Sequence, residues 1–348
     1  MAKPRLRIIR EKDIPGAVLL YAFEGWTDSG LAASLALDHL EKQVGAEVFA
    51  EFEPDELFDY RSRRPVFRVS NGVSQGLEWP SIRFSTGSIE NVRFAILQGG
   101  EPDLNWQGFA AAVADFAKDH GLAFAIGMGS IPAPVPHTRD VPIIATSPDP
   151  TLVERVGALE GSAQVPAGVQ LAIEQAVFDC GIPSMSIWAR VPHYIAAMAW
   201  PPAAVSLLQT LEHLLGLTID LADLAAASVD ARAKIDQAVR QNREAAEYVA
   251  QLERLVGTEE PSAGRLSQEF GEVTGEQIAS EIEQFLASQW SKEGRSDGNH
   301  RPAGGFGGGT FGGEAGGPED SRAGGSAPEE SEGQGSAGSG SESTEEDP

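Results

Sequence analysis

Cysteine is almost missing from this chain. Cys180 stands alone among 348 residues, which excludes an internal disulfide framework and any thiolate cluster for zinc or iron–sulfur. A reducing compartment suits it. Placed at the end of a helix-like stretch (residues 169–178), it reads as a small buried hydrophobe rather than a reactive thiol. Basic residues are scarce as well: 26 Lys and Arg face 51 Asp and Glu, a net charge of −25. That balance repels phosphate backbones, so no nucleic-acid partner is expected. The small cluster Arg61, Arg63 and Arg64 reads as a solvated loop. No run approaches ~20 apolar residues and the N-terminus has no apolar leader, so no membrane association and a cytoplasmic location are expected.

Histidine is also sparse, at six. No two stand at i,i+4 on one helix, and no His/Asp/Glu set has a metal-ligand spacing. We expect no metal and no cofactor. The serine of Gly127-Met128-Gly129-Ser130-Ile131-Pro132 lacks the second glycine of a Gly-x-Ser-x-Gly elbow, so serine hydrolysis has no support.

What the sequence does contain is an alternation of strand-like and helix-like stretches. Apolar runs at 17–23, 47–52, 92–97, 123–126, 143–146 and 182–189 read as strands, the 92–97 run stopped by Gly99-Gly100. Two shorter ones, 65–69 and 81–86, flank an Asn71-Gly72 turn and the Trp79-Pro80 step. Helical periodicity covers about 28–44, 105–120, 152–159 and 169–179. This order predicts an α/β fold: a mostly parallel central sheet flanked by helices, phosphorylase- or hydrolase-like, with a helical C-terminal appendage. Beyond Pro201-Pro202 the pattern is wholly helical, at 203–215, 221 to about 255 with Asp220 as its cap, and 278–290. Ile235, Val239, Ala246, Val249 and Leu252 make an apolar stripe that reads as intramolecular packing. From Lys292 the chain is Gly, Ser, Glu, Pro and Ala, with twelve acidic and four basic residues. We therefore expect an α/β core at 1–200, a helical appendage packed on it at 201–291, and a disordered acidic Gly/Ser/Glu-rich tail at 292–348.

Two local patterns mark a candidate site. Glu24-Gly25-Trp26-Thr27-Asp28-Ser29-Gly30 follows one strand-like run; Gly127-Met128-Gly129 follows another and opens into a Pro-rich loop holding His137 and Arg139. In open α/β sheets, ligands and partners are held at the carboxyl ends of strands. The Gly25-x-x-x-x-Gly30 spacing is neither a P-loop, lacking Lys-Ser/Thr after Gly30, nor a Gly-x-Gly-x-x-Gly fingerprint. A tight turn with Asp28 or Ser29 capping the next helix is one reading; anion binding at that helix start is the other. His137 with Arg139 can bind an anion. His193, beside Tyr194, can move a proton if Glu24 or Asp28 comes near; structural hydrogen bonding is the plainer role for both histidines.

Phe23-Glu24-Gly25-Trp26-Thr27-Asp28-Ser29-Gly30, Gly127-Met128-Gly129-Ser130-Ile131-Pro132 with Pro136-His137-Thr138-Arg139, and Val191-Pro192-His193-Tyr194 together resemble the PAC2 family, the proteasome-assembly-chaperone-2-like proteins, in its actinobacterial branch. The resemblance spans roughly residues 8–260. It implies a core like that of nucleoside phosphorylases, self-association as a homo-oligomer (a trimer), and a binding or assembly role with a protein partner. Eukaryotic relatives dock on proteasome rings through a C-terminal hydrophobic-Tyr-any tail, whereas this chain ends Glu345-Glu346-Asp347-Pro348, so that docking mode is not expected to transfer. Two functions are thus set against each other. One is a noncatalytic assembly or interaction protein using the loops around Glu24, Gly25, Trp26, Asp28, Gly30, Met128, His137, Arg139, His193 and Tyr194. The other is an enzyme or binding protein for a nucleoside-like or phosphate-bearing small molecule at the same loops.

Overall fold

The computed structural model describes residues 2–157 and 164–256. The apolar run at 17–23 becomes strand β2 (Val18–Glu24), buried as far as Phe23. Its alternate residues serve two apolar layers: Val18, Leu20 and Ala22 pack into one, Leu19, Tyr21 and Phe23 into the other. A strand covered on both faces requires such an unbroken run. The remaining strands are β1 (Leu6–Ile8), β3 (Glu47–Phe52), β4 (Val66–Ser70), β5 (Val73–Glu78), β6 (Ile82–Ile89), β7 (Val92–Gly100), β8 (Phe124–Ala133), β9 (Ile143–Thr146) and β10 (Ser184–Pro192). The helices are α1 (Ala32–Val44), α2 (Trp106–Asp119), α3 (Pro150–Val153), α4 (Val169–Asp179), α5 (Pro201–Leu215), α6 (Ala222–Gln241) and α7 (Arg243–Val256).

Eight strands form one sheet in the order β1-β3-β6-β7-β2-β8-β10-β9. The middle strands β7, β2, β8 and β10 are parallel. Both margins are antiparallel. The α/β architecture read from the alternation holds, with the parallel part confined to the centre. At one margin the reason is loop length: β6 and β7 are joined only through Glu90 and Asn91, too short for a crossover. Helix α1 with α5, α6 and α7 covers one face, and α2 with α4 covers the other.

Several elements depart from the local reading. β7 runs through Gly99 and Gly100 instead of stopping there, because β6 and β2 pair with it on both sides. β8 continues through Gly127 to Ala133 where a loop was expected, held by β10 from Ala125 to Ala133. Pairing with β2 ends at Gly127, so the missing donor of Pro132 is tolerated. The Asn71-Gly72 turn joins β4 to β5, not to β6; Ser74, Gln75 and Gly76 hid β5 from pattern reading. The helical stretch 221–255 breaks at Asn242, whose Oδ1 accepts the Ala245 N–H at 3.0 Å as the cap of α7. The break resets the phase of the apolar face, so Ala245, Tyr248, Val249 and Leu252 are buried while Ala246 is exposed. The end of the 152–159 stretch, the 278–290 helix and the 292–348 tail lie outside the described residues.

Candidate functional site

Because β7, β2, β8 and β10 are parallel, their carboxyl ends meet at one end of the sheet. They deliver Glu101, the 24–30 loop, the 133–140 loop and His193 to that end. In the 24–30 loop, Trp26 points outward, 68% exposed, and Glu24 is exposed as well. Asp28 is buried. Its carboxylate accepts the Ala33 N–H at 2.9 Å, the Ser34 N–H at 3.3 Å and the Ser34 hydroxyl. It therefore caps the first turn of α1, satisfying donors that a helix start leaves open. Burial pushes its carboxyl up to about 6, against those three hydrogen bonds. Gly30 holds φ 68°, and a Cβ there would lie 2.9 Å from the Trp200 Cβ; only glycine meets both demands. Its amide donates to the Ala196 carbonyl at 2.6 Å and its carbonyl accepts from Trp200 at 2.7 Å, lacing the loop to the segment after β10.

Glu101, which sequence reading passed over, fills a second helix start. Its Oε1 accepts the Val169 N–H at 2.8 Å at the first residue of α4. Its own amide donates to the Glu24 carbonyl at 2.9 Å. Glu101 packs against Gly25 on one side and Gly168 on the other. The signal that marks it is position: a charged residue directly after a strand of the parallel core.

Gly127, Met128 and Gly129 are interior. Met128 lies in the apolar layer with Leu20 and Ile187. Gly127 lets Ser186, Gln170 and Tyr21 close over the strand, and Gly129 makes room for the Trp188 ring. They shape the core beneath the loops and present nothing to a ligand.

His137, His193 and Tyr194 do converge, on helices that no local motif announced. His137 is 2% exposed. Its Nε2 lies 3.1 Å from Asp236 Oδ1 on α6, and its Nδ1 lies 2.7 Å from the Tyr194 hydroxyl. The Tyr194 oxygen also accepts the His137 backbone N–H at 2.8 Å. The donors then assign one neutral tautomer: Nε2–H donates to Asp236, and Nδ1 accepts from Tyr194. His193 is ordered the same way. Its Nδ1–H donates to the Ala133 carbonyl at 3.2 Å, and Nε2 accepts the Tyr248 hydroxyl of α7 at 2.8 Å. The rings pack edge-on, His193 to Tyr194 at 5.5 Å and to Tyr248 at 5.6 Å. Burial holds both imidazoles below their ordinary value, outweighing the pull of Asp236 on His137. Burial likewise raises the phenols, Tyr194 strongly and Tyr248 to about 12.

Arg139 is exposed and stands apart from this cluster. Arg232 of α6 donates instead to the carbonyls of His137 and Arg139, the latter at 3.1 Å, and stacks over Trp200 at 5.6 Å. A cavity of about 790 Å³ opens between α5, α6 and residues 140–156. None of His137, Arg139 or His193 lines it. Among the described residues no His, Cys, Asp or Glu group could hold a metal ion, and no helix is long and apolar enough to cross a membrane.

Residues 22–239 match the PAC2 family. No curated protein sequence matches the chain. Among solved structures, it is similar to a Mycobacterium tuberculosis protein of unknown function, with 32% identity over 81% of this chain and 93% of that one at a TM-score of 0.65. A PAC2 family protein from Streptomyces avermitilis shares 32% identity over 67% of this chain and 99% of its own, with a TM-score of 0.62. A Mycobacterium tuberculosis proteasome-assembly chaperone homologue shares 31% identity, again over 67% and 99%, with a TM-score of 0.63. The matched span runs from within β2 into the last turn of α6 and so takes in both loop patterns and Asp236, which holds His137, and on that breadth of agreement the chain belongs to the PAC2 family.

Proposed function

We propose that this chain is a noncatalytic, chaperone-like assembly protein that works as a homo-oligomer, a trimer on the family resemblance, and meets its partner with the strand-end loops. One observation carries the reading. The two helix starts and the two histidines at this end of the sheet are already committed to the chain itself. The starts of α1 and α4, where a phosphate would find free N–H groups, hold the carboxylates of Asp28 and Glu101. The two histidines are neutral and tied to Tyr194, Asp236, Tyr248 and the Ala133 carbonyl. From the 24–30 loop Trp26 faces outward with Glu24, an aromatic anchor with an acidic neighbour, which suits protein contact. Membership of the PAC2 family and similarity to a proteasome-assembly chaperone homologue support the same role, with a multi-subunit ring of the proteasome kind as partner.

A nucleoside-like or phosphate-bearing ligand would need Arg139 and His137 to face one concave site, and no observation favours that arrangement. The test is crosslinking pull-down with the full chain beside the Trp26→Ala variant. A defined multi-subunit partner captured by the first and lost with the second supports the assembly role. Specific binding of a purified nucleoside or of phosphate, abolished by Arg139→Ala and His137→Ala, would overturn it.

A further inference from the structure

One row of residues crosses the parallel part of the sheet beneath α4. Tyr21 of β2, Gly127 of β8, Ser186 of β10 and Thr146 of β9 are successive partners in register. Above them α4 turns Gln170 and Glu174 inward, both buried. The close approach depends on glycine. A Cβ on Gly127 would meet Ser186 Oγ at 2.5 Å and Gln170 Nε2 at 2.8 Å, and one on Gly129 would meet Gln170 Oε1 at 3.2 Å. The Gln170 amide thus lies across the two glycines, beside the Trp188 ring.

That amide is an anomaly. Gln170 is fully buried, yet neither its side-chain nitrogen nor its oxygen has a hydrogen-bond partner. Buried polar side chains are paired in the large majority of cases, so two orphaned atoms on one residue require a reason. Glu174 stands one turn further along α4. Its carboxyl accepts the Thr146 hydroxyl at 3.3 Å, and among the described residues no basic side chain acts on it. Burial outweighs the Ser186 and Thr146 hydroxyls and lifts that carboxyl to about 7. Tyr21 is the other titratable group facing it; burial and the Glu174 charge keep the phenol protonated. Glu101 lies at the helix start, bonded to Val169. Helix α2, packed on α4, keeps its charged residues Asp115, Lys118 and Asp119 exposed.

We infer that Glu174 and Gln170 are a proton-gated pair: with Glu174 neutral the Gln170 amide lies over Gly127 and Gly129, and with Glu174 ionised it turns along α4 and donates to the carboxylate. Residues four apart on a helix are neighbours on one face, so the amide reaches Glu174 by side-chain rotation alone. A buried carboxylate gains most from a donor, and the uncommitted donor is the Gln170 amide. The rotation takes place behind the strand-end loop. Gly168, two residues before Gln170, is pressed on Thr27 and Glu101, and Glu101 is tied to the Glu24 carbonyl. The proton on Glu174 therefore sets how the first turn of α4 backs the loop that carries Trp26. The pair works inside the chain, whatever that loop contacts.

The test is nuclear magnetic resonance of the full chain labelled with 15N-glutamine, followed from pH 5.5 to 8.5. Gln170→Met, similar in size, identifies the Gln170 side-chain signal by its loss. We expect that signal to move in one step centred near pH 7, and to stay at one position throughout in Glu174→Gln. A Gln170 signal that is flat in the unaltered chain overturns the pair, as does a step that persists in Glu174→Gln. A second measurement follows the side-chain carboxyl carbon of Glu174. Its midpoint should rise in Gln170→Met, because the charged form has lost its donor. A midpoint unmoved by that substitution leaves Gln170 a packing residue and removes the inference.

Discussion

Tyr248 donates its hydroxyl to Nε2 of His193 at 2.8 Å, joining helix α7 to the turn that follows strand β10. The bond spans 55 residues of sequence and is one of the ties by which the helices after residue 220 are held on the strand ends. Tyr248→Phe keeps the ring packing against Tyr194 and His193 and removes only the hydroxyl. We expect a loss of about 1 kcal/mol, with faster hydrogen exchange in α7 and unchanged exchange in β2. Exchange rising uniformly through the chain would contradict this local role.

Asp28 and Glu174, the latter buried on α4 and accepting the Thr146 hydroxyl at 3.3 Å, are predicted to make the chain more stable on mild acidification. Burial raises Asp28 to about 6 and Glu174 to about 7, above their unfolded values. Each is therefore protonated in the folded chain first, and stability falls as pH rises through that range. His137 and His193 act with the opposite sign. Their folded pKa values are depressed, so the stability they contribute is present above about 6.5 and is lost as pH falls below it. Glu174→Gln should raise stability at pH 8 by about 1–3 kcal/mol and flatten the profile above pH 5. Denaturant titrations across pH 4.5–8 measure both.

Replacement of Asp28 separates capping from charge. Asp28→Ala leaves the Ala33 and Ser34 donors without a partner in a buried setting, for an expected loss of about 1–2 kcal/mol. Asp28→Asn retains an acceptor for Ala33 and removes the titration near pH 6. A midpoint of thermal unfolding equal in the two variants would sink the capping assignment.

Gly30→Ala is expected to cost about 1–3 kcal/mol, because φ there is 68° and a Cβ would press on Trp200 at 2.9 Å and Val191 at 3.2 Å. Gly45→Ala is the control: its φ is 58° but nothing lies within 4 Å of an added Cβ. A smaller loss there isolates the steric part.

Trp26→Ala should leave monomer stability within about 0.5 kcal/mol, since the ring is 68% exposed. Its effect is expected on partner capture alone, and a large fall in the unfolding midpoint would place the ring in the fold instead.

The β2 run, α1, β3 and α4 were legible because their information is local: an unbroken apolar run, a helical period, a glycine after the last turn. So was the capping role of Asp28, which needs only a carboxylate a few residues before a helix. The strand-end position of the 24–30 loop was readable too, since glycines after a buried strand mark a strand end. Strand β5, the continuation of β7 through Gly99-Gly100 and the passage of β8 to Pro132 were not, because pairing partners far away in sequence decide them.

The same division governs function. Local residue types determined the α/β class and the excess of negative charge. Only the tertiary structure decided what His137 and His193 do, because Asp236 and Tyr248 reach them from helices some 50 to 100 residues away, and their hydrogen bonds set tautomer and charge. Burial did the rest. The energy of a carboxyl or imidazole depends on the water removed around it, and no stretch of sequence states which groups packing will dry.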